Sequence, residues 1–264
     1  MFNRPLTESE VSFFEKNHYL VLRKPFAPSQ GEALAKWAAE LLAWPESPGK
    51  WMKYFETSPK SGERQLCRVE NFLPYHEGFR SLLKDPVLFD ILEQLMGEPA
   101  TLYKEKINLK LPGGSGFGAH QDAPAFVTFG QRYHITLMLA IDDSTLENGC
   151  LQFSDPVPVY TTLAQNPDGT LCSQLEGELP WRPLEVKAGD VVLFDSYIPH
   201  RSPTNTSDSS RRAGFITYNR LAEGKRRDDY FADKRRSFPP ECERVPGRDY
   251  SEKESLYNLG NPIR

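Results

Sequence analysis

His120 and Asp122 stand two residues apart in Gly116-Phe117-Gly118-Ala119-His120-Gln121-Asp122, and His200 follows Asp195-Ser196-Tyr197-Ile198-Pro199. In an extended chain residues i and i+2 project to the same side, so this spacing predicts that His120 and Asp122 reach one metal ion. His200 lies just past the apolar run Val191 to Phe194, which is expected to be a strand. Two imidazoles and one carboxylate on one face leave three coordination positions open, the arrangement associated with non-haem iron(II) oxygenases. Zinc is the chemical competitor. A hydrolytic zinc site would want a general base close by, and no HExxH-type helix supplies one. An H-x-D pair is a weak signal by itself, and ordinary loop histidines are the alternative; the downstream histidine and the arginines below strengthen the metal reading.

Arg211 and Arg212 follow His200 by eleven and twelve residues and open the expected strand Ala213 to Tyr218. A dicarboxylate co-substrate needs a fixed cation for its far end, and arginine offers a planar, bidentate fork. A turn through Asn205 and Ser209 would bring the strand back beside His200. Neighbours on a strand face opposite sides, so one arginine of the pair points at the metal and the other is a surface charge.

The combination of His120-Gln121-Asp122, Gly189-Asp190-Val191-Val192-Leu193-Phe194-Asp195, His200-Arg201-Ser202-Pro203-Thr204-Asn205 and Arg211-Arg212-Ala213 resembles the phytanoyl-CoA dioxygenase family. The likeness runs from Leu6-Thr7-Glu8 to about Asn219. It implies a double-stranded β-helix (jelly-roll, cupin-like) with iron(II) held by His120, Asp122 and His200. It also implies 2-oxoglutarate on that iron, its far carboxylate on the arginine at the Arg211 position and assisted by Ser202. The implied reaction consumes dioxygen, releases succinate and carbon dioxide, and oxidises a substrate carbon. Related halogenases replace the carboxylate ligand by a small residue; Asp122 is intact, so hydroxylation or another oxidation is expected instead. A non-catalytic cupin-like binding protein and a metal-dependent hydrolase are the competing readings.

The strand expected at residues 101–111 bears on the substrate. A period of two places Lys104, Lys106, Asn108 and Lys110 on one face and Tyr103, Glu105, Ile107, Leu109 and Leu111 on the other. If the apolar face packs against a helical layer, the lysines and the amide look toward the barrel mouth. There Lys106 and Lys104 are candidate contacts for an anionic small-molecule substrate such as a phosphonate or carboxylate. Asn108 and Thr136 are candidate contacts for 2-oxoglutarate. The competing reading is a solvent-facing lysine edge that discourages strand pairing. The glycine-rich stretch 113–118 has no GK[ST] and precedes a metal ligand, so it is read as backbone freedom into the site rather than a phosphate loop. His134 is expected to be a strand histidine with a satisfied hydrogen bond; His18, His76 and the tryptophans are expected to serve structure.

Other elements must position these residues. Thr7 and Glu10 form a capping box ahead of a short helix; Tyr19 to Leu22 reads as a strand; Pro28 to Trp44 and Asp85 to Met96 read as helices, the latter opened by Pro86 and closed by Gly97. Residues 45–66, rich in Pro, Gly, Ser and Lys, are expected to be a long surface loop able to fold over a site. Strands are expected at 134–141, 150–153, 184–187, 191–195 and 213–219. Helices first and strands later predict a mainly β fold with flanking helices: a helical buttress and lid loop over 1–99, a core over 100–219, and a wrap over 220–264, all one domain.

At 264 residues, 39% apolar and 26% charged, the composition is that of a globular protein. A net charge of −4 argues against nucleic acid as partner. The basic runs 225–227 and 234–236 alternate with aspartates and read as solvated surface. Four scattered cysteines form no zinc or disulfide pattern, and Asn205-Thr206-Ser207 is taken as a chance sequon. With no apolar stretch of about 18 residues and no signal-peptide core, a cytoplasmic protein without a membrane partner is expected; its oligomeric state is left open.

Overall fold

A computed structural model of the chain describes residues 2–58 and 62–259. Among them, eleven strands build two antiparallel sheets. The strands are β1 (Tyr19–Leu22), β2 (Met52–Thr57), β3 (Arg64–Glu70), β4 (Ala100–Lys110), β5 (Phe117–His120), β6 (His134–Ala140), β7 (Leu151–Phe153), β8 (Arg182–Leu184), β9 (Val191–Asp195), β10 (His200–Ser202) and β11 (Arg211–Arg220). The larger sheet has the order β1-β9-β6-β11-β4-β3-β2, the smaller β5-β10-β7-β8. The expected jelly-roll core with helical buttress is what the chain forms.

The period of two in the central strands assigns each face. Ile135, Leu137 and Leu139 of β6 and Val191 and Leu193 of β9 join the cluster under the N-terminal helices. Met138 and Ala140, with Val192 and Phe194, join the cluster between the sheets. Because both faces are covered, Val191-Val192-Leu193-Phe194 is apolar throughout rather than alternating. The helices on the outer face are α1 (Glu8–Asn17), α2 (Pro28–Ala43), α3 (Glu77–Leu83) and α4 (Pro86–Met96). Thr7 and Glu10 make the expected capping box, and Gly97 ends α4 in a left-handed conformation. The segment forming α3 carries no such boundary signal except His76, whose ring accepts from Phe79 N.

Within the surface loop expected at 45–66, residues 52–57 and 64–66 are strand instead. Met52–Thr57 and Arg64–Glu70 pair with each other, and β3 pairs with β4, extending the main sheet by two strands. Residues 59–61 of that expected loop lie outside the described residues. The alternation was masked because Arg68 and Glu70 are buried: charged residues occupy inward positions where a strand pattern requires apolar ones. The strand expected at 184–187 lies at Arg182–Leu184, with Val186 bridged singly to Ser144.

The segment after β11 does more than wrap the core. Beyond α5 (Ala123–Phe126) and α6 (Ser173–Glu178), helix α7 (Arg227–Ser237) sends Lys234 to Glu70, both oxygens at 2.7 Å, and Arg227 to Glu105. Two residues of the supposed solvated runs are therefore paired with buried carboxylates, because α7 packs on the β3–β4 side of the sheet. Residues 260–264 of the expected wrap lie outside the described residues. Asn205 is fully buried and donates to Lys110 O and Ser209 O, which makes the turn into β11.

Candidate active site

Strand β10 pairs with β5 so that His200 lies opposite His120, and their rings stand 4.3 Å apart. Each Nδ1 faces a backbone carbonyl: His120 to Gly118 O at 2.7 Å, His200 to Ile198 O at 3.0 Å. A carbonyl only accepts, so Nδ1 carries the proton and Nε2 keeps its lone pair for a metal. His120 Nε2 is 3.9 Å from Asp122 Oδ1, and one donor atom from each of the three residues lies within 4.8 Å of the others. Burial, then the neighbouring His200, push His120 down to about 3, so its imidazole is neutral, as a ligand must be. Burial would raise Asp122, but His200, His120, Lys104 and Lys106 outweigh it and hold its carboxyl below the ordinary value. Two imidazoles and an anionic carboxylate fit a divalent ion.

Asp122 reaches the histidines by a route other than the expected extended one. The strand ends at His120, and Asp122 is helical (φ −73°, ψ −31°) at the start of the short helix α5 (Ala123–Phe126). Gln121 ties this turn down: its amide donates to Thr161 O (3.0 Å) and Tyr197 O (2.6 Å) and accepts from Leu163 N (2.8 Å).

The triad opens into a cleft whose walls include Lys104, Lys106, Asn108, Thr136, Ser202 and Arg211. All nine expected site residues are thus brought together. Their order follows the register. Arg211 lies opposite Lys110, Phe215 opposite Lys106, and Thr217 opposite both Lys104 and Thr136. Cations therefore run along the cleft from Arg211 to Lys104.

Arg211 and Arg212 separate as strand geometry requires. Arg212 chelates Asp142 on the outer side. Arg211 is 2% exposed; its Nη1 donates to Gly149 O (2.7 Å) and Ser144 Oγ (3.2 Å), while its Nε–H is buried with no protein partner. A buried guanidinium N–H left open beside a cleft suits a carboxylate. Burial lowers Arg211 to about 10, so it stays charged at neutral pH. Lys110 is diverted from this role: it donates to Ser202 Oγ (2.5 Å) and Pro203 O (2.5 Å), and burial, then Arg211, push it down to about 6.

Sequence reasoning missed Gly149, whose carbonyl also accepts from Ser202 Oγ (2.7 Å). Its φ of +75° and a Cβ position 2.2 Å from Pro203 O admit only glycine. The Asn148-Gly149 dipeptide was the available signal. Gly116 is required likewise, since a Cβ there would stand 2.6 Å from Ser202 O.

The face assignment on β4 needs one correction. A register shift between Thr217 and Tyr218 leaves Tyr103 without an opposite residue, and this bulge turns it to the pocket side. There it packs on Phe126, His134 and Tyr230. Ile107 and Leu109 face the helices as expected. Lys104 Nζ sits 3.9 Å over the Phe126 ring and, chiefly through burial, is lowered to about 8. Burial, then Arg68 and Lys104, hold Lys106 well below its usual value. His134 is only half satisfied: Nε2 meets Gln131 Oε1 at 3.3 Å, and Nδ1 is buried without a partner. His18 pairs with Asp195, a structural use.

Residues 14–213 match the sequence profile of phytanoyl-CoA dioxygenase (PhyH). The chain belongs to the phytanoyl-CoA dioxygenase family. It is 55% identical over 258 residues to the 2-aminoethylphosphonate dioxygenase of uncultured bacterium HF130_AEPn_1, covering 98% of each chain. It is 43% identical over 236 residues to the methylphosphonate hydroxylase of Gimesia maris, covering 89% of each. The fold is similar to that of EctD from S. alaskensis, crystallised with 2-oxoglutarate and 5-hydroxyectoine: TM-score 0.72 at 22% identity, covering 84% of this chain and 78% of that one. The protein is accordingly an oxidoreductase, a non-haem iron dioxygenase that uses 2-oxoglutarate and dioxygen on a small-molecule substrate. The readings as a non-catalytic cupin or a hydrolase fall away. Among the described residues no helix is long and apolar enough to cross a membrane.

Proposed function

We propose that this dioxygenase hydroxylates a small phosphonate at the carbon bound to phosphorus. The observation that carries the reading is the charge of the cleft. Lys104, Lys106, Arg201 and Arg211 line it against one carboxylate, Asp122, among the described lining residues. That excess suits two anions side by side, the co-substrate and a phosphonate. The names of the two relatives agree, and in methylphosphonate the only carbon is the one on phosphorus.

In this reading His120, Asp122 and His200 bind iron(II) on one face. Arg211, through its open Nε edge, takes the far carboxylate of 2-oxoglutarate; Ser202 is spent on Gly149 O and shapes that corner. Asn108 and Thr136 face the rest of the co-substrate. Lys106 and Lys104, farther along β4, take the phosphonate oxygens, and Phe126 and Phe215 wall the alkyl part. Bound iron with 2-oxoglutarate supplies the oxidising power; the protein's residues orient both anions and keep water out. The whole chain acts as one domain, and its unpaired cysteines suit a reducing cytoplasm.

The test is succinate release and phosphorus NMR with iron(II), 2-oxoglutarate, air and either methylphosphonate or 2-aminoethylphosphonate. Substrate-stimulated succinate with a new hydroxyphosphonate resonance is expected. Succinate release that neither phosphonate stimulates would overturn the substrate class.

A further inference from the structure

Behind the cleft, on the strand that looked like a loop, lies a buried cation with no part in the scheme above. Arg68 is 1% exposed. Its register partner is Asn108, and its Nε donates to Asn108 Oδ1 at 3.1 Å. Its Nη1 donates to Asn258 Oδ1 (2.9 Å), Tyr257 O (3.3 Å) and Glu70 Oε1 (3.4 Å). Glu70 is fixed in turn by Lys234.

We propose that Arg68 is a positioning residue for the co-substrate end of the cleft: it sets the rotation of the Asn108 carboxamide, and the Tyr257–Asn258 segment holds Arg68 in place to do so. The inference rests on the assignment of Asn108 to 2-oxoglutarate. A guanidinium has donors and no acceptor, so only the amide oxygen of Asn108 can face it. The Nδ2 end must then point away from β3, and Asn108 lines the cleft. Asn108 therefore presents two N–H donors to the pocket and no acceptor, which suits an anionic oxygen. Without Arg68 the carboxamide is free to turn over and offer a carbonyl, which repels that oxygen. Along β4, Asn108 stands between Lys110, the partner of Arg211, and Lys106, which places it at the 2-oxoglutarate end. Burying a guanidinium is costly, and a strand already paired on both sides has no need of one. Its contacts to the C-terminal segment stop it swinging away.

The test is a double-mutant cycle between Arg68→Met and Asn108→Ala, read as the Kd for 2-oxoglutarate by calorimetry on the anaerobic iron(II) protein and as KM against kcat in turnover. Loss of one hydrogen bond to a charged group weakens binding about tenfold or more. Each single variant is expected to raise Kd and KM by about that factor with kcat changed far less. The double variant should match Asn108→Ala alone, because Arg68 then has nothing to position. Arg68→Lys, still a donor without an acceptor, should bind more tightly than Arg68→Met. Asn258→Ala should shift Kd in the same direction, and it carries the test if Arg68→Met does not fold. Additive effects in the cycle, equal Kd for the Lys and Met variants, or an unchanged Kd in Asn258→Ala overturns the proposal. A wild-type protein that does not bind 2-oxoglutarate at all marks failure of the underlying reading instead.

Discussion

Replacing Arg211 by lysine tests the co-substrate corner without removing its charge. The wild-type guanidinium has one nitrogen engaged by Gly149 O and Ser144 Oγ, while its buried Nε–H is unpartnered. The free edge can form two parallel bonds to a carboxylate. A lysine ammonium at the same depth is drawn to the Gly149 carbonyl and delivers one bond to the ligand at most. The loss is then one charge-assisted hydrogen bond, worth about 1.5–3 kcal/mol. At about 1.4 kcal/mol per tenfold change, that is roughly 10- to 150-fold in affinity. The assay is the KM for 2-oxoglutarate at saturating phosphonate, with thermal unfolding as a check on folding. Arg212→Lys is the control: its pairing with Asp142 is partly exposed, so the KM should stay within about twofold. A folded Arg211→Lys protein with an unchanged KM for 2-oxoglutarate would refute the anchor.

Other perturbations separate the remaining parts of the site. His120→Ala and Asp122→Ala should each abolish turnover and weaken iron(II) binding, measured by metal content after desalting; full hydroxylation by either variant rules out the triad. Lys106→Ala should raise the KM for the phosphonate strongly while leaving that for 2-oxoglutarate nearly unchanged, and equal effects on both would misplace Lys106. Lys104, lowered to about 8, is a cation below that pH and neutral above it. Its attraction for an anion is present at lower pH and lost as pH rises through about 8; the KM for the phosphonate should climb there in the wild type and stay flat in Lys104→Met. Lys234→Met removes both short bonds to Glu70, a residue with a side chain 3% exposed, leaves it only the 3.4 Å contact to Arg68, and should cost about 3 kcal/mol in urea unfolding. A loss below about 1 kcal/mol would show the pair to be solvated.

The legible parts share one property: their signal is local. The capping box at Thr7, the helix between Asp85 and Gly97, the two-sided apolar run of β9 and the ligand spacings all depend on neighbours a few residues away. So did the strand rule that only one of Arg211 and Arg212 can turn inward. Where reading failed, distant partners had altered the local rule. Residues 52–57 and 64–70 looked too polar for strands because Arg68 and Glu70 meet Asn258 and Lys234, which lie far along the chain. Tyr103 changed face because a bulge against β11 broke the period of two. Asp122 left the extended chain for a helical turn that Gln121 ties to Tyr197 and Leu163.

Sequence by itself determined the chemistry of this protein: the donor set, the fold class and the cationic strand are properties of residue type and short spacing. Tertiary structure alone decided the geometry. It buried Arg211 at the cleft and left Arg212 on Asp142, spent Lys110 on Ser202 and Pro203, turned Gly149 into an acceptor for Arg211 and Ser202, and brought the C-terminal segment to Arg68. The physical reason is that hydrogen bonding and desolvation depend on what lies across a sheet or behind a wall. In this fold those neighbours come from positions scores of residues away.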